Sequence, residues 1–297
     1  MIEIKGIIPP ILTPMDEEEN VNEKELRNQV NRLIGAGVHG IFAFGTNGEG
    51  YALNESEKER ILEVVTDEAR GRVPVYAGSG CITTKDTIQM SQKAKSLGAD
   101  VLSIITPWFA AASQDDLLEH YREVAKAVDM PIVLYNIPAR CGNSLLPATV
   151  AKLADVDNIV GAKDSSGNFD NMLQYIELTK GKDFSILSGN DSLIYWNLLA
   201  GGAGGIAGCA NVFPENMAGI YNAFVAGNLP QAKIYQDNIR AFRNCFRFGN
   251  PNTIVKTAVA MLGYPVGNCR KPFDRISEEG RRAIGQVLEE YRQKGIK

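Results

Sequence analysis

Short apolar segments alternate with helical patterns along the first two-thirds of the chain. Most of the segments are rich in Val, Ile, Leu or Phe, as in strands that are buried on both faces of a parallel sheet. They begin about every 20–34 residues, which is the length of one βα unit. The eight segments are residues 6–14, 40–45, 73–78, 101–105, 131–136, 159–163, 184–188 and 204–208. The first is heavy in proline, so we expect its strand to be short or irregular. The helices after the second and fourth segments are expected to begin at Asn54 and at Ser113, each with an acidic residue three positions later. Eight strands that alternate with helices predict an α/β protein with a (β/α)8 TIM barrel.

An open, doubly wound sheet would also alternate strands with helices. Such a sheet would carry a phosphate-binding loop after its first strand. The one glycine pattern of the dinucleotide-binding type, residues 202–207, leads into a strand instead of following one, so we exclude this alternative. Only helical patterns occur after residue 212, and they cover residues 217–224, 232–246, 254–262 and 278–291. We therefore predict a barrel at residues 1–212 and a C-terminal helical extension, residues 213–297, that packs on it as one structural unit.

Charge and cysteine content exclude several classes of function. With a net charge of −4 and a pI near 5.4, the chain gives no electrostatic reason to expect nucleic acid or an anionic membrane as a partner. No apolar run reaches the length of a membrane span. Two histidines are too few for a multi-histidine metal centre, and the five scattered cysteines lack zinc spacing. These residues offer no metal site, so we expect a protein that uses no metal. Because the N-terminal sequence lacks a secretory pattern, we also expect it to be cytoplasmic.

Lys163 stands where the sixth apolar segment gives way to polar residues and glycine. Lysines are almost never fully buried without a partner, and desolvation disfavours the charged ammonium form. A lysine amine activated in this way can attack a ketone and form a Schiff base. If the strand ends one residue earlier, Lys163 is instead a solvated loop cation, and this segment alone leaves both interpretations open.

A glycine-rich loop, Gly45-Thr46-Asn47-Gly48-Glu49-Gly50, follows the second predicted strand. Glycines let a backbone approach a ligand closely, and successive N–H groups can form a nest that binds an anion. Thr46 adds a hydroxyl. An ordinary tight loop is the alternative interpretation of the same composition.

Tyr135 and Arg140 follow the fifth predicted strand. A phenol at this position can relay a proton, and an arginine can bind a carboxylate through two parallel hydrogen bonds. Taken singly, they could be a packing tyrosine and a surface arginine. In a barrel, however, Tyr135, Lys163 and the loop around Thr46 all meet at the C-terminal face. Together they predict Schiff-base chemistry on a 2-oxo acid: Lys163 takes the keto carbon, the nest takes the carboxylate, and Tyr135 moves protons.

At these residues the chain resembles the dihydrodipicolinate synthase / N-acetylneuraminate lyase family of class I pyruvate-dependent aldolases. The resemblance extends from Gly6 to about Arg282, nearly the whole chain. The motifs that carry it are Gly45-Thr46-Asn47-Gly48-Glu49, Tyr135-Asn136-Ile137-Pro138 and Gly161-Ala162-Lys163-Asp164, with support from Ile105-Thr106-Pro107 and Gly263-Tyr264-Pro265-Val266-Gly267. This set is specific for the superfamily and says little about the substrate.

The resemblance implies a (β/α)8 barrel, usually a homotetramer, with no metal and no organic cofactor. It implies that Lys163 forms an imine with pyruvate and that Tyr135 is the acid/base. It also implies that the backbone N–H groups of Thr46 and Asn47, in the loop with Gly48, hold the pyruvate carboxylate. The carbonyl of Ile206 would line the site.

Two departures from the family bear on the substrate. The synthases usually carry a second threonine where this chain has Asn47, whose amide can both donate and accept hydrogen bonds to a substrate hydroxyl. They also borrow a tyrosine across a subunit interface, where this chain offers Phe109, which cannot relay a proton. In favour of a synthase, Arg140 matches the arginine that receives the carboxylate of the aldehyde substrate. Asp191 is present as a candidate substrate-binding residue, but Ser192 stands where N-acetylneuraminate lyase usually has an acidic residue for the sugar hydroxyls.

These departures favour reversible aldol cleavage of a 2-oxo-3-deoxy sugar acid to pyruvate and an aldehyde. The first alternative is 4-hydroxy-tetrahydrodipicolinate (dihydrodipicolinate) synthase, which condenses pyruvate with aspartate semialdehyde. N-acetylneuraminate lyase and a sugar-acid dehydratase are further alternatives. A barrel that retains the pocket only as a sensor of 2-oxo acids, without catalysis, belongs to a different class and is distinguished by the absence of turnover.

Overall fold

Eight parallel strands form a barrel in the computed structural model, which describes residues 2–297. The strands, numbered β1 to β8 in chain order, are Gly6–Ile8, Ile41–Ala43, Val75–Ala77, Val101–Ile105, Ile132–Asn136, Ile159–Asp164, Ser185–Ser188 and Gly204–Ile206. From β2 to β8, each strand pairs with its neighbours in sequence, and β8 pairs with β1. The prediction of an α/β TIM barrel is therefore confirmed.

The barrel closes between β1 and β2 through a short parallel bridge that pairs Pro10 with Phe42. The N–H of Phe42 donates to the carbonyl of Pro9 at 3.0 Å, and the N–H of Ile11 donates to the carbonyl of Phe42 at 3.0 Å. Proline has no N–H to donate, so β1 is short and ends before Pro9 and Pro10, as the prolines of the first apolar segment predicted.

Within residues 2–297, thirteen α-helices, numbered α1 to α13, surround and extend the barrel. They are Glu23–Gly35, Glu55–Ala69, Thr84–Ser96, Gln114–Ala127, Pro138–Cys141, Pro147–Leu153, Phe169–Leu178, Ile194–Leu199, Pro214–Val225, Leu229–Asn238, Arg240–Asn244, Pro251–Met261 and Glu278–Gln293. Capping boxes begin α2 at Asn54 and α4 at Ser113, as the sequence predicted. Within residues 2–297, no helix is both long enough and apolar enough to cross a bilayer.

Apolar side chains close the N-terminal end of the barrel. Ile8, Phe42, Val133, Leu187 and Ile206 belong to one buried cluster inside the sheet. Because side chains alternate along a strand, residues two positions further on face the same interior. These apolar side chains therefore fill the N-terminal part of the barrel interior, which we call the barrel floor. Polar side chains are left to the C-terminal end of the interior.

The C-terminal helices pack against the barrel around a second apolar cluster, which joins Ile7 and Leu12 to side chains of α9, α12 and α13. The single helix predicted over residues 232–246 is wrong, because α10 ends at Asn238 and α11 begins at Arg240. The short helix α5 was also missed. The division of the chain at residues 212 and 213 stays a prediction.

His120 supplies a prediction about stability. It is 6 % exposed on α4, its Nδ1 lies 2.9 Å from Thr84 Oγ1, and its Nε2 has no hydrogen-bond partner within residues 2–297. Burial lowers the pKa of His120 to about 4, below the ordinary value of 6.5. As the pH falls below about 6.5, His120 takes up a proton in the unfolded chain, but in the folded chain it does so only near pH 4. The free energy of unfolding therefore decreases as the pH falls from about 6.5 to about 4.

We expect the free energy of unfolding to fall by about 2 kcal/mol through His120 between pH 7 and pH 5, at about 1.4 kcal/mol per pH unit below the unfolded pKa. Urea denaturation at fixed protein concentration measures this loss. His120→Asn should remove about this much of the pH dependence. An unchanged pH profile in the variant would contradict the assignment.

Candidate active site

Lys163 lies on β6 and is 4 % exposed. Its Nζ lies 3.6 Å from the centre of the Tyr135 ring and 5.5 Å from the centre of the Phe42 ring. No carboxylate among residues 2–297 lies within 4.0 Å of this amine. The adjacent Asp164 accepts instead from Asn136 at 2.8 Å and from Ser166. Lys163 is thus a buried lysine without an anionic partner.

Tyr135 and Lys163 are neighbours because β5 and β6 pair in register at these two residues. The hydroxyl of Tyr135 lies 3.0 Å from Thr46 Oγ1, at the end of β2. The amine therefore lies over the ring of a phenol whose hydroxyl reaches the threonine hydroxyl, at the C-terminal end of the barrel. A chain of two hydroxyls beside an amine is suited to proton transfer.

The loop of residues 45–50 folds tightly over the end of β2. Glu49 N–H donates to the Thr46 carbonyl at 3.1 Å, and Thr13 Oγ1 donates to the Gly48 carbonyl at 2.7 Å. A Cβ at Gly50 would stand 2.0 Å from the carbonyl oxygen of Phe44, so only glycine fits there. Within residues 2–297, the N–H groups of Thr46, Asn47 and Gly48 have no acceptor. The loop therefore presents three successive free donors, the composition of an anion-binding nest.

A buried ion pair anchors this loop to the C-terminal extension. Glu49 Oε1 accepts from Lys256 Nζ at 2.7 Å, and the two side chains are 0 % and 1 % exposed. The other carboxylate oxygen accepts the N–H of Arg270 at 2.8 Å. Because the Glu49 charge is satisfied behind the loop, it does not oppose an anion at the free N–H groups.

A cavity of about 310 Å³ opens beside these residues. Its walls are largely aromatic or apolar, with Phe42, Phe44, Ile105, Trp108 and Phe273, and its hydroxyl-bearing side chains include those of Thr46, Tyr135 and Ser103. Lys58 and Arg140 supply positive charge, and no Asp or Glu of residues 2–297 lines it. Lys163 is not on the wall itself but lies against Tyr135, which is. Such a cavity suits a small molecule that carries a carboxylate.

The wall also carries the thiol of Cys141. Burial raises the pKa of Cys141 above the ordinary value for a thiol. A protonated thiol is a poor nucleophile, so Cys141 does not compete with the Lys163 amine.

Besides Lys163, five of the predicted site residues do not line this cavity. The side-chain amide of Asn47 donates to Asn252 Oδ1 at 3.2 Å, and Gly48 is a buried residue of the loop. Ile206 is 1 % exposed in the barrel floor. Asp191 accepts from the Cys209 N–H at 2.9 Å and pairs with Arg243 at 3.2 Å, so both of its oxygens are occupied. Phe109 points away from this chain and is 98 % exposed.

Sequence analysis missed three residues near the site. Ser103 Oγ is buried in the cavity wall without a hydrogen-bond partner among residues 2–297, and strand alternation two residues before Ile105 would have found it. A Cβ at Gly189 would stand 1.8 Å from Ser165 Oγ and 2.9 Å from Lys163 Cε, so Gly189 makes room for the lysine stem. Asn252, far along the chain, contacts the Thr46 carbonyl at 2.7 Å.

Comparison with known proteins agrees with this geometry. Residues 3–291 match the model of the dihydrodipicolinate synthetase family. The chain belongs to this family. A protein of Methanopyrus kandleri named 4-hydroxy-tetrahydrodipicolinate synthase is 38 % identical over 289 residues, 96 % of each chain. One of Methanospirillum hungatei with the same name is 36 % identical over 97 % of this chain and 99 % of its own.

The solved structures lead to the same family. The dihydrodipicolinate synthase of Acinetobacter baumannii, solved with pyruvate, superimposes with a TM-score of 0.93 at 31 % identity over 96 % of this chain and 98 % of its own. Membership makes the chain a class I, Schiff-base-forming aldolase of the pyruvate-dependent lyases. The expectation of an enzyme of this class is confirmed.

Proposed function

We propose that the chain is a 4-hydroxy-tetrahydrodipicolinate synthase, which condenses pyruvate with aspartate semialdehyde. The observation that carries this proposal is the line from Lys163 through Tyr135 to Thr46, with Arg140 on the wall of the same cavity. An amine and two hydroxyls serve the pyruvate half of the reaction. A cation with no anionic partner within residues 2–297 serves a second substrate that carries its own carboxylate. The names of the relatives support the same reaction.

The chemistry assigns one role to each group. The Lys163 amine adds to the keto carbon of pyruvate, and loss of water leaves an imine. A proton leaves the methyl carbon to give an enamine, whose carbon attacks the aldehyde, and the aldehyde oxygen takes up a proton. The amino group of the aldehyde substrate then adds to the imine carbon and displaces the Lys163 amine, which closes the ring of the product and frees the enzyme. Tyr135, hydrogen-bonded to Thr46, gives and takes the protons of these steps. The free N–H groups of the loop hold the pyruvate carboxylate, and Arg140 holds the carboxylate of the aldehyde.

The preference for a sugar acid, which the sequence favoured, loses one of its two supports. Asn47 was expected to bond a substrate hydroxyl, but its amide is directed at Asn252. Asp191 was expected to bind the substrate, but its oxygens are already bonded to Cys209 and Arg243. The relatives' names also favour the synthase alternative.

Phe109 is the observation that keeps a 2-oxo-3-deoxy sugar acid as the second candidate. The family's synthases are expected to supply a tyrosine hydroxyl from this position, and phenylalanine has none. If the chain makes the cyclic product without that hydroxyl, Tyr135 and Thr46 alone must carry the proton transfer.

We also propose that the enzyme works as a homo-oligomer, a tetramer by its resemblance. Phe109 is 98 % exposed and has a φ of 77°, in the left-handed region that a phenylalanine seldom adopts. A large apolar ring in a strained backbone is retained where surrounding contacts compensate. A second copy of the chain, covering Phe109, supplies such contacts. Trp196 and Leu199 on α8 and Ile234 on α10, 40–51 % exposed, offer a further apolar surface.

Pyruvate with borohydride should label Lys163, because reduction converts the imine to a stable secondary amine. Peptide mass spectrometry locates the modified residue. Lys163→Ala should abolish labelling, whereas Lys152→Ala, a change on the outer helix α6, should not affect it. Labelling that persists in Lys163→Ala, or lies on another lysine, would remove Lys163 from the mechanism.

Tyr135→Phe should lower kcat by about 10²–10⁴-fold, the usual contribution of a positioned acid/base. Tyr121→Phe is the matched control, because it removes a buried hydroxyl that bonds the Ile104 carbonyl on the outer face of β4. That control should lose stability but little kcat. Near-normal turnover by Tyr135→Phe would show that another group moves the proton.

The substrate is decided by kcat/KM for condensation with aspartate semialdehyde and for cleavage of a panel of 2-oxo-3-deoxy sugar acids. Condensation should be the faster reaction. Arg140→Ala should lower its kcat/KM by about 10–100-fold, since a hydrogen bond to a charged group is worth about 1.5–3 kcal/mol. Efficient cleavage of a sugar acid without formation of the cyclic product would reverse the assignment.

A further inference from the structure

The peptide that joins Thr46 to Asn47 is held from the C-terminal extension. The Thr46 carbonyl accepts from Asn252 Nδ2 at 2.7 Å and from the Glu49 N–H at 3.1 Å. A trans peptide is planar, so its N–H points away from its carbonyl. The Asn47 N–H is therefore turned to the side opposite Asn252, where it has no acceptor within residues 2–297. The bond to Asn252 thus fixes the direction of one free donor of the nest.

The side chain of Asn252 has no freedom to serve another purpose. It is 2 % exposed in the first turn of α12. Its Nδ2 contacts the Thr46 carbonyl and Tyr51 Oη, at 3.2 Å, while its Oδ1 accepts from Asn47 Nδ2 at 3.2 Å. A carbonyl can only accept, so the amide must present its NH₂ group to Thr46, and this fixes the orientation of the whole side chain.

The same helix holds the loop at a second point one turn later. Lys256 follows Asn252 by four residues, so the two side chains lie on one face of α12. Lys256 pairs with Glu49 at 2.7 Å, at the far end of the loop. Lys256 compensates the buried charge of Glu49, whereas Asn252 contacts only neutral polar groups. Removal of the Asn252 side chain should therefore destabilise the fold less than removal of the Lys256 side chain.

We propose that Asn252 is a positioning residue for substrate binding, which aims the Asn47 N–H at the carboxylate of pyruvate. The assignment rests on the proposed function, in which that carboxylate occupies the free N–H groups of residues 46–48. Asn252 touches no substrate atom. It acts through the Thr46–Asn47 peptide, and the C-terminal extension thereby takes part in the chemistry of the barrel.

The test compares pyruvate with methyl pyruvate, a ketone of similar shape without the charged carboxylate. The measured quantity is the concentration that gives half-maximal borohydride labelling of Lys163. Asn252→Ala should raise this concentration about tenfold for pyruvate and less than about twofold for the ester. Asn252→Asp keeps the shape but sets a carboxylate oxygen against the Thr46 carbonyl, so it should raise the value for pyruvate at least as much.

Asn238→Ala is the matched control. Asn238 on α10 donates to Asn216 Oδ1 at 2.8 Å, a side-chain amide pair in the same extension and away from the loop. This variant should show a lower thermal midpoint and unchanged half-saturation for both ketones. The comparison separates loss of stability from loss of carboxylate binding. If Asn252→Ala does not fold, Asn252→Asp carries the same comparison.

Two outcomes overturn the proposal. One is an unchanged half-saturation for pyruvate in both Asn252 variants, and the other is an equal rise for pyruvate and its ester. Either result leaves labelling of Lys163 in the unaltered chain intact, so the proposed function survives it. Absence of labelling in the unaltered chain is a different failure, because it removes the pyruvate imine itself.

Discussion

Glu49 and Lys256 are almost wholly removed from water and 2.7 Å apart. Burial of each ion costs roughly several kcal/mol in lost hydration, so neither charge can stay buried if the other is removed. Glu49 also accepts the N–H of Arg270, which adds the segment beyond α12 to the same contact. The glycine-rich loop and the C-terminal helices therefore keep one arrangement. The free N–H groups of the loop are in place before a ligand arrives, which spares the cost of ordering them on binding.

Sequence reasoning succeeded where a regular geometry converts position along the chain into position in space. In a barrel, every strand ends at the same face, so Lys163, Tyr135 and Thr46 could be brought together from their places after three predicted strands. Capping residues such as Asn54 and Ser113 gave the starts of helices for a similar reason, because a cap bonds a backbone N–H two or three residues away. The break between α10 and α11 has no comparable local signal.

The remaining features depend on contacts between distant parts of the chain. Asn252 meets the Thr46 carbonyl across 206 residues, and no spacing rule connects them. Residue type also says less than orientation. Asn47 can bond a sugar hydroxyl, and on that ground the sequence favoured a sugar acid, but the fold turns its amide toward Asn252. The position of the lysine in the barrel was therefore predictable, whereas the side chain that Asn47 contacts was not.

Lys58 and Arg140 give the cavity mouth a positive potential in a chain whose net charge is −4. Apolar walls concentrate such a field, so a small carboxylate is drawn toward this one opening while the molecule as a whole is mildly repulsive to it. The attraction extends over about 8–10 Å at physiological salt and shrinks as salt rises. The rate of capture is thus set partly by the ionic strength of the surroundings. In concentrated salt, long-range steering fades, and discrimination between anions and neutral ketones passes to hydrogen bonds made after entry.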